Sequence, residues 1–201
     1  MVVLCTVLAG VVIARRPALS AAGWALVSSD PVESADAIVV TIDAGPAGIL
    51  EAADLVHNGV SQRVAVFDDP ADPATLEFLR RGVAYEDRAA REIRQLQTLG
   101  IANVERIHAV GGTEDEGSVL PGWCELQELH SVVVVGNSDH TRRLRRVFHR
   151  SMKGRQTRVF VRAARFSAFD PDEWWHTRAG IRTEIVELQK LLLDLARHPI
   201  S

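Results

Sequence analysis

VVVVGNSDHTRRLRRVF, Val132 to Phe148, is a strand, a turn and a helix in succession. Four consecutive β-branched residues, Val132 to Val135, suit a strand covered on both faces, as in a parallel sheet between helices. Gly136, Asn137, Ser138 and Asp139 supply turn and N-cap chemistry. From His140 onward the spacing of Leu144, Val147 and Phe148 is helical. His140, Arg142, Arg143, Arg145 and Arg146 crowd its first two turns. In open α/β sheets, ligands sit beyond the carboxyl ends of the strands, where helix N-termini point free N–H groups outward. His140 as acid/base or donor, with Arg143 one turn later on the same helix face as charge clamp, therefore forms a candidate anion site. The remaining arginines are expected to be solvated or to lie against a membrane surface. The alternative is a plain core strand followed by a solvated basic helix.

Working outward, the same alternation of strand and helix recurs. Ala37 to Ile42 is a short apolar β-branched run, ended by Asp43-Ala-Gly-Pro46, and a helix from Ala47 to His57 closes at Asn58-Gly59. Gln62 to Phe67 is the second strand. Asp68-Asp69-Pro70 follows it, either as a turn or as two carboxylates able to hold a metal or act as acid and base. Glu86 to Leu99 reads as a charged amphipathic helix, and Val104 to Val110 as the third strand. After Gly111 and Gly112, the pair Thr113 and Glu116 has the spacing of a helix capping box, which by itself accounts for both residues. Gln156 to Val161 is the fifth strand. A last helix, from about Gly180 to Arg197, carries Ile185, Leu188, Leu191, Leu192 and Leu195 on one apolar face. The expected fold is a three-layer, Rossmann-like α/β domain with a mainly parallel sheet of about five strands. Asp43, Asp68, Gly112, Thr113, Asn137, His140 and Arg143 would gather at its carboxyl edge.

Composition narrows the function by exclusion. The chain has 201 residues, 47% of them hydrophobic and 24% charged, which fits one α/β domain with an appendage. A net charge of −3 gives no reason to expect nucleic acid as a partner. Cys5 and Cys124 are too few for a disulfide framework or a cysteine metal site. The seven histidines are scattered without metal-ligand spacing. No Gly-x-Gly-x-x-Gly, Walker A or Gly-x-Ser-x-Gly motif occurs, so no cofactor is named by sequence.

These residues resemble the YdcF-like family of bacterial envelope proteins, from about Asp30 to Lys190. His140, Arg143 and Phe148 stand in the family's His-x-x-Arg frame, with the Phe five residues after the Arg. Pro31-Val-Glu-Ser-Ala-Asp-Ala37 matches its lead into the first strand, and Thr113 with Glu116 its Thr-x-x-Glu motif. Trp174-Trp175 precedes a last helix bearing Glu187 and Lys190, as in the family. The sequence also departs from the pattern. Gly136-Asn137 replaces a Thr-Ser pair, Asp68-Asp69-Pro70 replaces Ser-Gly-Gly, and no Arg opens the helix at Ala47. The resemblance implies His140 and Glu116 as catalytic residues, and Asp43, Gly112, Thr113, Asn137 and Arg143 as ligand-binding ones. The ligand would be small and anionic or phosphorylated, in cell-envelope biogenesis. The departures keep a second class open, a non-catalytic envelope factor that retains the fold without the chemistry.

Met1 to Ala14 is apolar throughout and is followed by Arg15-Arg16-Pro17. Fourteen residues fall short of the roughly 20 needed to span a bilayer. The expectation is that residues 1–29 are a membrane-anchoring or signal-like segment, the apolar run continuing a helix that begins upstream. Residues 30–201 would then form the YdcF-like domain. The implied location is the cytoplasmic membrane, single-pass, with the domain on the outer face. Ala18 to Val27, with Trp24, would lie at the membrane interface or pack on the domain.

Overall fold

The computed structural model describes residues 15–108 and 110–199. Its strands are β1 (Ala37–Val40), β2 (Val64–Phe67), β3 (Val104–Ile107), β4 (Ser131–Gly136) and β5 (Arg158–Ala163). Its helices are α1 (15–26), α2 (Gly45–His57), α3 (Pro73–Arg80), α4 (Arg88–Thr98), α5 (Thr113–Leu126), α6 (Thr141–Ser151) and α7 (Arg178–Arg197). The strands form one sheet in the order β3-β2-β1-β4-β5, with every neighbouring pair parallel. This is a Rossmann-like α/β architecture. β1 and β4 lie at its centre, in register from Ala37 opposite Val132 to Val40 opposite Val135. Both are buried at every position, which is why neither shows polar alternation.

Successive side chains of a strand point to opposite faces, so each strand feeds two cores. Ile38, Val40, Val133 and Val135 pack under α2 and α4 with Ile49, Ala52 and Leu96. Val39, Phe67, Val132 and Val134 pack under α5 and α6 with Leu120, Cys124, Leu144 and Phe148. The chain runs outward from β1 to β3 and then returns to β4. The carboxyl ends of β1 and β4 therefore flank the topological switch point, where such sheets hold their ligands.

The single-pass membrane location is corrected. Among the described residues no helix is long and apolar enough to cross a membrane, and Met1 to Ala14 lie outside them. α1 is taken up by the domain. Leu26 is buried with Phe169 and Leu191, and Trp174 Nε1 donates to the Leu19 carbonyl at 2.8 Å. Trp24 Nε1 donates to Asp172 at 2.9 Å. Arg142 supplies the missing C-terminal partners of α1, donating to the carbonyls of Trp24, Ala25 and Val27.

The solvated basic helix is corrected too. Arg145 pairs with Asp30, and Arg146 with Asp194. Arg150 reaches Asp194 and Glu114. α7 turns its acidic residues toward α6, so the expected apolar face is only partly covered. Leu191 is buried, whereas Ile185, Leu192 and Leu195 are exposed.

Candidate functional site

Three residues after β1, Thr41-Ile42-Asp43, are the hub of the switch point. The Thr41 N–H extends the sheet to the Val135 carbonyl at 3.0 Å, and the Thr41 carbonyl accepts the Ala44 N–H at 3.1 Å, turning the chain into α2. The Ile42 N–H donates to Glu116 Oε1 at 2.7 Å. The Ile42 carbonyl accepts from Arg88 Nη1. The Asp43 carbonyl accepts from Asn137 Nδ2 at 2.6 Å. Glu116 from α5, Arg88 from α4 and Asn137 from the loop after β4 thus converge on one turn.

Glu116 does not close a capping box. The N-cap of α5 is Gly112, whose φ of 152° suits glycine, and no side chain caps that end. Asp115 instead accepts the Gly111 N–H at 2.9 Å. Glu116, 1% exposed, is left free to point across the sheet edge. Burial pushes its carboxyl up to about 7. The Ile42 N–H opposes this, Asp43 adds to it, and His140 and Arg88 offset part of it. Thr113, the first residue of α5, is buried as well.

His140 is the N-cap of α6, closing a 3-10 turn from Ser138 to His140. Its Nδ1 lies 2.7 Å from Asp139 Oδ1. A carboxylate there only accepts, so Nδ1 carries a proton and donates it to Asp139. Nε2 has no hydrogen-bond partner among the described residues, and neither has Thr41 Oγ1. The two residues are 5% and 1% exposed. Both atoms face Gly136. A Cβ built there would lie 3.4 Å from Thr41 Oγ1 and 3.8 Å from His140 Nε2, but only 2.3 Å from Leu144 Cδ1. Gly136 is therefore required by packing, and the hydroxyl at this point comes from Thr41, just past β1.

Arg143 is placed elsewhere. It faces α7, 3.3 Å from Glu187, and its Nε has no partner among the described residues. The cation at the hub is Arg88, whose Nε lies 3.4 Å from Asp69 and whose Nη1 lies 3.5 Å from Glu92. Its Nη2 is buried without a partner among the described residues. Burial pushes Glu92 up to about 7, with Arg88 opposing and Asp69 reinforcing the shift. Asp68 pairs with Arg106 at 3.4 Å. A cleft of about 470 Å³ opens beside the hub, lined by Asp68, Asp69, Asp72, Thr75, Tyr85 and Arg88.

Of the residues singled out by sequence, Asp43, Asn137, Glu116 and His140 meet around the hub, Gly112 and Thr113 begin the helix that delivers Glu116, and Arg143 belongs to the α6–α7 seam. Thr41, Arg88 and Glu92 escaped notice. Thr41 reads as one more strand residue, and Arg88 and Glu92 as ordinary members of a charged helix. Only the tertiary arrangement brings them to β1.

No family model matches this chain, and no curated protein matches it. Among solved structures, the universal stress protein from Archaeoglobus fulgidus, in complex with dAMP, aligns at 14% identity and a TM-score of 0.36. The alignment spans 63% of this chain and 96% of that one. A likeness of that degree bears on neither ligand nor chemistry.

Proposed function

We propose that the switch point binds a small anionic or phosphorylated ligand and moves a proton on it, in a divergent YdcF-like domain. The observation that carries this is a buried histidine, held at Nδ1 by Asp139, whose free Nε2 shares the Gly136 position with the free hydroxyl of Thr41. Unpartnered buried polar atoms are costly, and persist where they serve a ligand. His140 Nε2 would accept a proton. Glu116, whose carboxyl burial pushes up to about 7, would return one. Arg88 Nη2 would hold the negative charge. Two departures from the family pattern are then made good from elsewhere in the fold. Thr41 offers a hydroxyl where β4 has glycine, and Arg88 a guanidinium where α2 lacks an arginine.

A second reading, a fold-retaining factor without chemistry, is favoured by the depth of Glu116 and His140 below the surface. Thermal denaturation with orthophosphate, pyrophosphate and AMP separates the two. On the first reading at least one anion raises the wild-type midpoint, and the rise is lost in both His140→Gln and Arg88→Gln. A midpoint unmoved by all three anions, or a rise that persists in both variants, refutes it.

A further inference from the structure

We propose that residues 69–86 form a flap that closes the cleft at Arg88 over the body of the ligand, an apolar or aromatic group joined to the anion. Leu79 and Tyr85 pack on that group. This rests on the anion reading of the switch point and extends it to the rest of the ligand.

Both ends of the flap are fastened by one residue of β3. Arg106 meets Asp68 at 3.4 Å and Asp87 at 2.9 Å, and the Asp68 N–H donates to the Ile107 carbonyl at 3.0 Å. Between these points the chain is loosely held. From Pro70 to Tyr85 only Thr75 is buried. Among the described residues, every hydrogen bond and ion pair of this stretch is internal to it. Asp72 caps α3 through the Ala74 and Thr75 N–H groups, and Glu77 pairs with Arg80 and Arg81. A surface excursion with its ends held together and its middle untethered can move as a unit. Few buried contacts place it at the low-stability end of the fold, from which lids are drawn.

The flap overhangs the cleft beside the hub. Leu79 and Tyr85, 49% and 46% exposed, line it from the flap, and Asp69 and Arg88 line it from the hub. Its volume of about 470 Å³ lies within the ~300–1,000 Å³ of small-molecule sites and is more than a lone phosphate fills. The carboxylates around it are engaged: Asp68 and Asp87 with Arg106, Asp69 with Arg88, and Asp72 with the start of α3. No group of three or more His, Cys, Asp or Glu side chains that could hold a metal ion occurs among the described residues. What the cleft offers a ligand is therefore the unpartnered Arg88 Nη2 and an apolar wall. Swinging α3 toward Arg88 buries Leu79 and Tyr85 on the ligand and removes water from around the ion pair, which strengthens it.

Phenyl phosphate and orthophosphate, compared on the full chain by thermal denaturation and by amide exchange with mass spectrometry, test this. Phenyl phosphate should bind at least tenfold tighter and should slow exchange across residues 70–85. Leu79→Ser and Tyr85→Ser, both at exposed positions and each checked for an unchanged thermal midpoint without ligand, should bring phenyl phosphate down to the level of orthophosphate. Equal affinity of the wild type for the two anions, or bound phenyl phosphate that leaves exchange across 70–85 unchanged, overturns the flap and leaves the anion site standing. A preference for phenyl phosphate that survives both substitutions overturns the assignment of Leu79 and Tyr85. A wild type that responds to neither anion refutes the anion site, and the flap with it.

Discussion

Replacing Glu116 by Gln should stabilise the protein at pH 8 and leave its stability unchanged at pH 4. A carboxyl whose pKa is about 7 when folded and 4.5 when free carries about 3 kcal/mol, at ~1.4 kcal/mol per pH unit. The sign follows from which state holds the proton. Below pH 4.5 both states are protonated and the contribution is whole. Between pH 4.5 and 7 the unfolded chain has released the proton while the folded one keeps it, so stability falls as pH rises. Above 7 the loss is complete. Gln has the shape of protonated Glu and keeps an oxygen for the Ile42 N–H, so it avoids that loss. Urea denaturation of wild type and variant at pH 4, 6 and 8, followed by tryptophan fluorescence, gives the difference directly. Glu92, pushed up to about 7 as well, adds the same slope to both proteins and cancels. A difference that stays constant with pH, or a variant less stable at pH 8, would show Glu116 to be ionised at neutral pH and stabilised by Arg88 and His140. Its role as the acid of the site would then fail.

Gly136→Ala forces a methyl to within 2.3 Å of Leu144 Cδ1 and should cost about 1–3 kcal/mol; adding Leu144→Ala should recover part of the urea midpoint. Asp194→Ala leaves Arg146 and Arg150 unpaired at the α6–α7 seam and should cost about 3 kcal/mol. Burial pushes the Asp194 carboxyl up, but the two arginines more than offset this and hold it below its usual range. The Asp194 contribution is therefore present above the ordinary aspartate range and is lost on acidification, which a denaturation series from pH 7 to pH 3 will reveal. Arg143→Ala strips Glu187 of one partner and should lower stability by about 1–3 kcal/mol without abolishing an anion-induced rise in thermal midpoint. Arg88→Gln should do the opposite.

The central strands were legible because burial on both faces leaves unbroken runs such as Val132 to Val135, which little else produces. His140 and Glu116 were legible as candidates because a strand end followed by a helix start is a local pattern. The use made of Glu116 was not. Thr-x-x-Glu serves a capping box equally well, and what decides between them is the Ile42 N–H, 74 residues away. Arg88 was invisible for a similar reason, since it reaches the site across 46 residues and sits among other charges that point to solvent. α7 misled through its own regularity. Its leucines mark a stripe that wants covering, and periodicity does not tell whether the cover comes from the same domain. Arg142, Arg145 and Arg146 of α6 looked solvated because the groups that meet them, the α1 carbonyls, Asp30 and Asp194 of α7, are distant in sequence.

The α6–α7 ion pairs also set a timetable for synthesis. Asp194 leaves the ribosome 48 residues after Arg146, several seconds later at roughly 5–20 residues per second. During that interval α6 can already lay Leu144, Val147 and Phe148 against β4, since β1 and β4 have both emerged. What it shows to solvent or to a neighbouring nascent chain is a row of guanidinium groups in place of an apolar face. A half-made molecule that repels its neighbours by charge can wait for its last helix without sticking to them.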